Sequence, residues 1–270
     1  MSNTQLEKVL EVNKRQKEFY NTKKKNFATK IWSYMRNKLL SDFRKELKIS
    51  EQVYDRHKVW LGDLSDKKVL DLGCFAGNYL SIYLAENAKS YLGIDLSDEA
   101  IAKLNERLKD IPNAEAKEVD FLSPDFTEKD FDIIYAYGVL HHFESLDMLF
   151  DKLQEKLAPN GHLISYDPLK TSWPLKVIRA LYRPFQSDAD WEWPFSKQTV
   201  RRFHKEFNVV ERHGILGSSK WAFFLNLIPI GSKKKLNYIK KLHQKDWEKS
   251  QSNDRQLYTC MHLTMHMQKK

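Results

Sequence analysis

Between Lys67 and Pro168 the sequence alternates short apolar runs with amphipathic segments, and this alternation restricts the fold more than any other feature. The apolar runs are VLDLG, YLGIDLS, EAKEVDF, DIIYAYGVL and HLISYDP. Segments in which apolar residues recur at helical spacing lie at 78–88, 98–110, 146–157 and 172–183. Strands that alternate with helices at this spacing form a parallel sheet with helices on both faces. The sequence therefore predicts an α/β protein with a mostly parallel sheet.

The sequence after residue 168 adds two further strands. A predicted helix at 196–206 leads to the apolar strand FNVVERHGIL, and LYTCMHLTMHM is predicted as the seventh and last strand. A late strand pair with an insertion between its members predicts that the last strand is antiparallel. The inserted residues 217–254 join an apolar run to a basic one, which is typical of a lid over an active site or of a segment that docks on an anionic membrane. We expect the sheet to fold without them.

Residues 1–60 differ from the remainder of the chain because they contain no glycine and no proline. Their apolar residues recur at helical spacing, so we predict an N-terminal helical cap, 1–60, in front of one α/β domain, 61–270. The cap holds 15 basic and 7 acidic residues, residues 61–170 hold 11 and 21, and residues 171–270 hold 19 and 8. Basic flanks of this kind are solvated helix faces, or they contact a phosphorylated substrate, a membrane surface or RNA.

Cysteine content and hydropathy indicate the compartment. The chain has two cysteines, too few for a disulfide framework, and no signal peptide is apparent over residues 1–11. The apolar run Trp221–Ile230 is much shorter than the roughly 20 residues of a membrane span. We expect a cytoplasmic protein, with peripheral contact to an anionic membrane as an alternative role for residues 217–254.

The stretch VLDLGCFAGNYLS, Val69–Ser81, combines the end of a strand, a glycine-containing turn and the start of a helix. In open α/β sheets, ligands bind beyond the carboxyl ends of the strands. Gly73 and Gly77 let the backbone approach a ligand, and the helix that begins near Asn78 directs its N-terminus there. A ligand with a small charged tail would fit this turn.

Acidic residues end the next two predicted strands. Asp95 lies 22 residues after Gly73, where a carboxylate accepts hydrogen bonds from both ribose hydroxyls of a nucleoside. Asp120 and Phe121 end the third strand, where an acceptor and a ring suit the edge and face of adenine. A dinucleotide fits less well, because the G-x-G-x-x-G pattern requires glycine where the chain has Phe75 and Asn78. The G-K-[ST] signature of nucleoside triphosphate binding is also missing from the sequence.

These motifs, in this order over about 100 residues, resemble those of class I S-adenosylmethionine-dependent methyltransferases. The resemblance implies a Rossmann-like seven-stranded sheet and S-adenosyl-L-methionine as the cofactor. By the same resemblance, the methionine part of the cofactor is held by Asp71, Gly73, Cys74 and Gly77. The nucleoside is bound by Asp95, Leu96, Asp120 and Phe121, and the pocket is completed by Tyr137 and Gly138. Tyr20, in the motif EFYN, is similar to a tyrosine that closes over the cofactor in many small-molecule methyltransferases.

Candidate catalytic residues follow the fourth strand. His141 and His142, in LHHF, would act as general bases because a histidine titrates near neutral pH, or they would pack against cofactor or substrate. A metal is not expected, since Gly138 and His141 stand where some methyltransferases carry acidic ligands. Four residues are candidates for the acceptor site, because they end the fifth strand or belong to the later cluster SDADWEWPF: Tyr166, Asp167, Trp191 and Trp193.

The sequence therefore predicts S-adenosylmethionine-dependent methylation of a small or amphipathic acceptor, such as a sugar, a polyketide, a quinone or a lipid headgroup. The basic flanks favour RNA methylation as an alternative, although no separate RNA-binding module is apparent. A third interpretation is a scaffold that binds the cofactor without catalysis.

Overall fold

The computed structural model describes residues 3–22, 44–182, 191–227 and 232–270. The strands of this part of the chain form one sheet: β1 (Lys68–Leu72), β2 (Ser90–Asp95), β3 (Ala114–Glu118), β4 (Phe131–Tyr137), β5 (Leu157–Pro168), β6 (Phe207–Ile215) and β7 (His262–Lys269). Their order is β3-β2-β1-β4-β5-β7-β6, and β7 is antiparallel to both of its neighbours. The predicted Rossmann-like sheet with an antiparallel last strand is confirmed, and β6 rather than β7 lies at the edge.

The described helices are α1 (Asn3–Thr22), α2 (Ile49–Leu61), α3 (Tyr79–Asn87), α4 (Asp98–Leu108), α5 (Leu146–Lys156), α6 (Trp173–Tyr182), α7 (Lys197–Glu206), α8 (Ser232–Ser252) and α9 (Asp254–Leu257). Short 3-10 helices lie at Leu140–His142 and Ser218–Leu227. Side-chain caps fix where several helices begin. Asn78 accepts from two backbone N–H groups at the start of α3, and Ser97 accepts from one at the start of α4. None of the described helices is both long and apolar enough to cross a membrane.

The last strand begins later than the sequence predicts. Asn253 caps α9 by accepting from the backbone N–H of Gln256, so the residues before His262 form a helical turn instead of extended chain. Apolar composition alone does not reveal this, because Leu257 and Cys260 are as buried as strand residues would be.

Alternate side chains of the strands point to opposite faces of the sheet and fill two separate cores. Val69 and Ile133 pack on one face with residues of α3 and α4, including Leu84 and Leu104. Their sequence neighbours pack on the other face with residues of α5 and α7; these are Leu70, Ile134, Leu153 and Phe203. All of these side chains are less than 5% exposed. Burying each aliphatic one stabilises the fold by about 1.5–3 kcal/mol relative to leaving it in water.

The inserted segment is part of the covering of the sheet. The Trp247 ring of α8 stacks on His213 of β6 with ring centroids 4.1 Å apart. Asp246 accepts from the backbone N–H groups of Ser218 and Ser219, each at 2.8 Å, and so ties α8 to the 3-10 helix before it. Residues of 217–254 therefore cover part of β6, so we expect their removal to destabilise the sheet, contrary to the prediction from the sequence.

The two described helices of the N-terminal region attach to opposite ends of the sheet. On α1, Lys17 forms an ion pair with Glu118 of β3 at 2.6 Å. On α2, Arg56 Nε and Trp60 Nε1 both donate to Glu211 of β6, at 2.8 and 2.9 Å. The two helices thus contact the two edge strands of the sheet.

Candidate active site

The turn after β1 is built from residues in the left-handed backbone region. Gly73 and Gly77 have φ of 69° and 77°, and Phe75 between them has φ of 47°. A Cβ on Gly73 would lie 2.4 Å from Cγ2 of Val139, so only glycine lets the turn approach the loop after β4. Arg107 donates to the carbonyls of residues 76 and 77, at 2.6 and 2.7 Å, and holds the turn from outside.

Phe75 occupies a position where the G-x-G-x-x-G pattern has glycine. A left-handed conformation costs an L-residue roughly 1–2 kcal/mol, and the sign of φ shows that this chain bears that strain. The backbone N–H of Phe75 donates to Oδ2 of Asp95 at 3.0 Å, which holds the strained residue in place. Its side chain is 40% exposed and lines the adjacent cleft.

A cleft of about 230 Å³ lies over the carboxyl ends of β1, β2, β3 and β4. Eight of the residues predicted from sequence line it: Gly73, Asp95, Leu96, Asp120, Phe121, Tyr137, Gly138 and His142. Gly138 has φ of 74°, and a Cβ added there would meet nothing within 4 Å, so this glycine leaves space in the cleft. Apolar side chains complete the walls; they are Leu72, Ile94, Val119, Val139 and Phe143.

Two carboxylates project from the ends of β2 and β3 into the cleft. The oxygens of Asp95 accept from the backbone N–H groups of Phe75, at 3.0 Å, and Ser97, at 2.9 Å. Asp120 accepts from the backbone N–H of Leu122, at 2.9 Å. Burial raises the pKa of both carboxyls above the ordinary aspartate value. A carboxylate oxygen can accept two hydrogen bonds, so both groups retain capacity for a ligand.

Three residues that the resemblance assigns to the cofactor do not line this cleft. Asp71 is 1% exposed and accepts from the hydroxyl of Tyr91 at 2.8 Å, beneath the turn, where burial raises its pKa to about 6. Cys74 belongs to the apolar core under α3 and α4. Gly77 faces α4, because a Cβ there would lie 2.7 Å from Leu104. They support the turn from behind. The side chain of Tyr20 lies outside the described residues.

His142 is the member of the histidine pair that lines the cleft. Its Nδ1 lies 2.6 Å from the carbonyl oxygen of Trp191, and since a carbonyl only accepts, Nδ1 carries the hydrogen. In the neutral ring the lone pair is then on Nε2. This is the protonation state that a general base requires.

His141 is buried behind His142, with ring centroids 4.1 Å apart. Its Nδ1 lies 2.9 Å from Oδ1 of Asp167, which also accepts from the backbone N–H of His141 at 3.1 Å. Burial raises the pKa of Asp167 to about 7. The backbone N–H of Trp193 donates to the carbonyl of His141 at 2.7 Å. Asp167 and the tryptophan segment therefore position the histidines, and none of them lines the cleft.

Aromatic rings extend from the cleft toward β5. Tyr137, on the cleft wall, stacks on Tyr166 with centroids 4.6 Å apart and planes 9° apart. Tyr54 of α2 packs against Tyr137, with ring centroids 5.4 Å apart. Tyr166, a predicted acceptor-site residue, thus lies one ring beyond the cleft.

Sequence reasoning missed the contribution of α1. Asn13 and Gln16 of this helix line the cleft, and Asn13 Nδ2 donates to Oδ2 of Asp120 at 2.7 Å. Both side chains are less than 9% exposed, although the helix around them is strongly polar. Two polar residues three positions apart on a polar helix do not indicate burial by themselves. The hydrogen bond that buries Asn13 is made with Asp120, 107 residues away, and no local pattern reveals it.

The sequence profile of the family described as "Methyltransferase domain" matches residues 34–211, more than half of the chain. The chain belongs to that family. The strand order and the cleft over the ends of β1, β2, β3 and β4 agree with the resemblance to class I S-adenosylmethionine-dependent methyltransferases, and the predicted family is confirmed.

Individual relatives match parts of the chain. The tRNA U34 carboxymethyltransferase of Pseudoalteromonas atlantica is 31% identical over 117 residues, which are 43% of this chain and 36% of that protein. Among solved structures, the N-methyltransferase NodS of Bradyrhizobium japonicum WM9, in complex with S-adenosyl-L-homocysteine, has a TM-score of 0.51 and 19% identity over 82% of this chain and 86% of its own. Geranyl diphosphate C-methyltransferase of Streptomyces coelicolor A3(2) has a TM-score of 0.54 and 12% identity, covering 87% and 85%. These two structures show the same fold.

Proposed function

We propose that the protein methylates a small or amphipathic acceptor that binds beside the ends of β4 and β5. The observation that carries this proposal is that the two ends of the cleft carry different kinds of side chain. Its β2 and β3 end holds the carboxylates of Asp95 and Asp120, and its β4 end holds Tyr137 and His142. The nucleoside of the cofactor would bind at the β2 and β3 end. The β4 end is then left for the transferred methyl group and for the acceptor.

The residues of the cleft fit S-adenosyl-L-methionine. Asp95 has free acceptor capacity for the ribose hydroxyls, Asp120 for the adenine amine, and Gly138 leaves room for the cofactor. When bound, the cofactor supplies a methyl group on a sulfonium. We infer that His142 accepts the proton of the acceptor's nucleophile at Nε2, because its Nδ1–H is already donated to the carbonyl of Trp191.

The experiment is a pair of measurements on one set of variants. Calorimetry gives the affinity for S-adenosylhomocysteine, and tritium counting gives transfer from methyl-labelled S-adenosylmethionine to a panel of a phenol, a hydroquinone, a sugar nucleotide and a phospholipid. His142→Gln should lower transfer about 10²- to 10⁴-fold and leave the affinity nearly unchanged. Equal losses in both quantities would assign His142 a packing role. Binding without transfer to any acceptor would favour the scaffold interpretation.

A second candidate acceptor is tRNA. It is favoured by the relatives that are named tRNA U34 carboxymethyltransferases and by exposed lysines on α8, such as Lys233, Lys234, Lys240 and Lys241. The same labelled cofactor, incubated with total tRNA, separates the two candidates. Transfer to tRNA that falls steeply with added salt would support this candidate, because phosphate contacts release counterions on binding.

A further inference from the structure

A stack of three rings leads away from the cleft along the carboxyl ends of β4 and β5. Tyr137 stacks on Tyr166 at 4.6 Å, and Tyr166 stacks on His262 at 5.3 Å, with planes 9° apart in both pairs. His262 begins β7, which is antiparallel to β5 and pairs its first residue with Pro168. All three rings therefore lie at one edge of the sheet, and the first of them is a wall of the cleft.

Arg44 stands at the far end of this stack. Its Nη2 lies 3.5 Å from Nε2 of His262. Its positive charge also acts on the hydroxyls of Tyr137 and Tyr166, where it opposes the rise in pKa that burial causes. The guanidinium therefore contacts the last ring of the stack, although 218 residues separate Arg44 from His262.

The guanidinium of Arg44 has unused hydrogen-bonding capacity. Within the described part of the chain, its buried Nε has no hydrogen-bond partner and no carboxylate forms an ion pair with Arg44. An unsatisfied buried donor costs about 1–3 kcal/mol, more when it is charged. By contrast, Arg56, only 12 residues further on, donates to both oxygens of Glu211. A guanidinium donates in a planar fork that matches a carboxylate or a phosphate.

The surroundings of the stack are apolar. Tyr137 and Tyr166 pack against a cluster from α2, β6, the 3-10 helix at Ser218–Leu227 and α8, which contains Ile49, Val53, Leu216, Ala222 and Ile239. A ligand that reached Arg44 from the cleft would pass rings and aliphatic side chains and would meet the Arg44 guanidinium at the end.

We propose that Arg44 binds an anionic group of the methyl acceptor, a carboxylate or a phosphate, while the apolar body of the acceptor lies along the rings of Tyr137, Tyr166 and His262. This inference rests on the proposed function, because it places the acceptor's reacting atom at the β4 end of the cleft. It specifies the acceptor as an apolar or planar molecule with a terminal negative charge.

The test uses small fluorinated probes, followed by ¹⁹F NMR titration of the full-length protein saturated with S-adenosylhomocysteine. The probes are 4-fluorobenzoate, 4-fluorophenyl phosphate and the uncharged 4-fluorobenzamide. The variants are Arg44→Gln and, as a matched control, Lys45→Gln, which removes a positive charge from the neighbouring exposed residue. Saturating the cleft keeps the probes from binding there.

At least one anionic probe should bind the wild-type protein about tenfold to a hundredfold more tightly than the amide. Arg44→Gln should remove this preference, Lys45→Gln should keep it, and the stronger of the two anions identifies carboxylate or phosphate. A wild-type protein without preference for the anions, or an Arg44→Gln protein that retains it, would overturn the proposal. If Arg44→Gln does not fold, the comparison of the anionic probes with the amide on the wild-type protein still tests the proposal. Failure to bind S-adenosylhomocysteine would instead contradict the proposed function.

Discussion

Replacing Asp95 tests the assignment of the cleft most directly. Both of its oxygens already accept a backbone N–H, at 3.0 and 2.9 Å, so the carboxylate is held in a fixed orientation at the end of β2. Asp95→Asn retains one acceptor oxygen and replaces the other with a donor, which removes one charge-assisted hydrogen bond to a ribose hydroxyl. Such a bond contributes about 1.5–3 kcal/mol, so the dissociation constant for S-adenosylhomocysteine should rise about tenfold to a hundredfold.

The stability of the same variant should change less than its affinity. Burial raises the pKa of Asp95, which means that the folded protein disfavours its charge, and losing that charge offsets part of the lost backbone bonds. Calorimetric titration at pH 7.5 measures the affinity, and urea denaturation measures the free energy of unfolding.

Asp110→Asn is the matched control, since Asp110 carries the same charge and lies exposed just after α4. It should bind S-adenosylhomocysteine like the wild type. The reasoning is refuted if Asp95→Asn binds as tightly as the wild type, or if the two variants weaken binding equally.

Three further outcomes are expected. Burial lowers the pKa of His57 to about 3 and that of His266 to about 4, so the unfolded chain binds protons that the folded chain does not as pH falls below about 6.5. Urea denaturation at pH 4.5 should therefore show a loss of about 2–3 kcal/mol from each histidine relative to pH 7.5, and His57→Gln should be less sensitive to acid than the wild type. Phe75→Gly relieves the left-handed strain but deletes a cleft-lining ring, so its unfolding free energy should stay within about 1 kcal/mol of the wild type while S-adenosylhomocysteine binds more weakly in calorimetry. Trp247→Ala should cost about 3–5 kcal/mol in urea denaturation, because the ring is buried against His213; a value near zero would restore the view that α8 is dispensable.

The strands of the sheet could be predicted because the sequence pattern that specifies each strand is local. Each apolar run is long enough for one strand, and the residues that end the strands, such as Asp95 and Tyr137, are placed by chain order alone. The carboxyl ends of parallel strands meet at one edge, so residues distant in sequence, such as Asp95 and Tyr137, line one cleft.

The rest depended on contacts that no local pattern encodes. Asn13 reaches Asp120 across 107 residues, and Arg44 reaches His262 across 218. The sign of φ at Phe75 depends on the turn as a whole and not on the residue itself. The apolar Leu257 suggested a strand, whereas the cap at Asn253 starts a helix. Asn13 and Phe75 line the candidate site although the sequence did not predict them there.

The attachment of α1 has a kinetic consequence. This helix closes one side of the cleft through Asn13 and Gln16, and further out it is held by exposed polar contacts such as Lys17 to Glu118 and Asn21 to Asp98. Exposed pairs of this kind contribute little, about 0–1 kcal/mol each. Lifting α1 therefore costs far less than opening the sheet below it, where the glycine turn and Asp95 are anchored. We therefore expect the residence time of a nucleoside in the cleft to depend on how often this helix detaches, so that departure of the spent cofactor would limit turnover independently of the bond-making step.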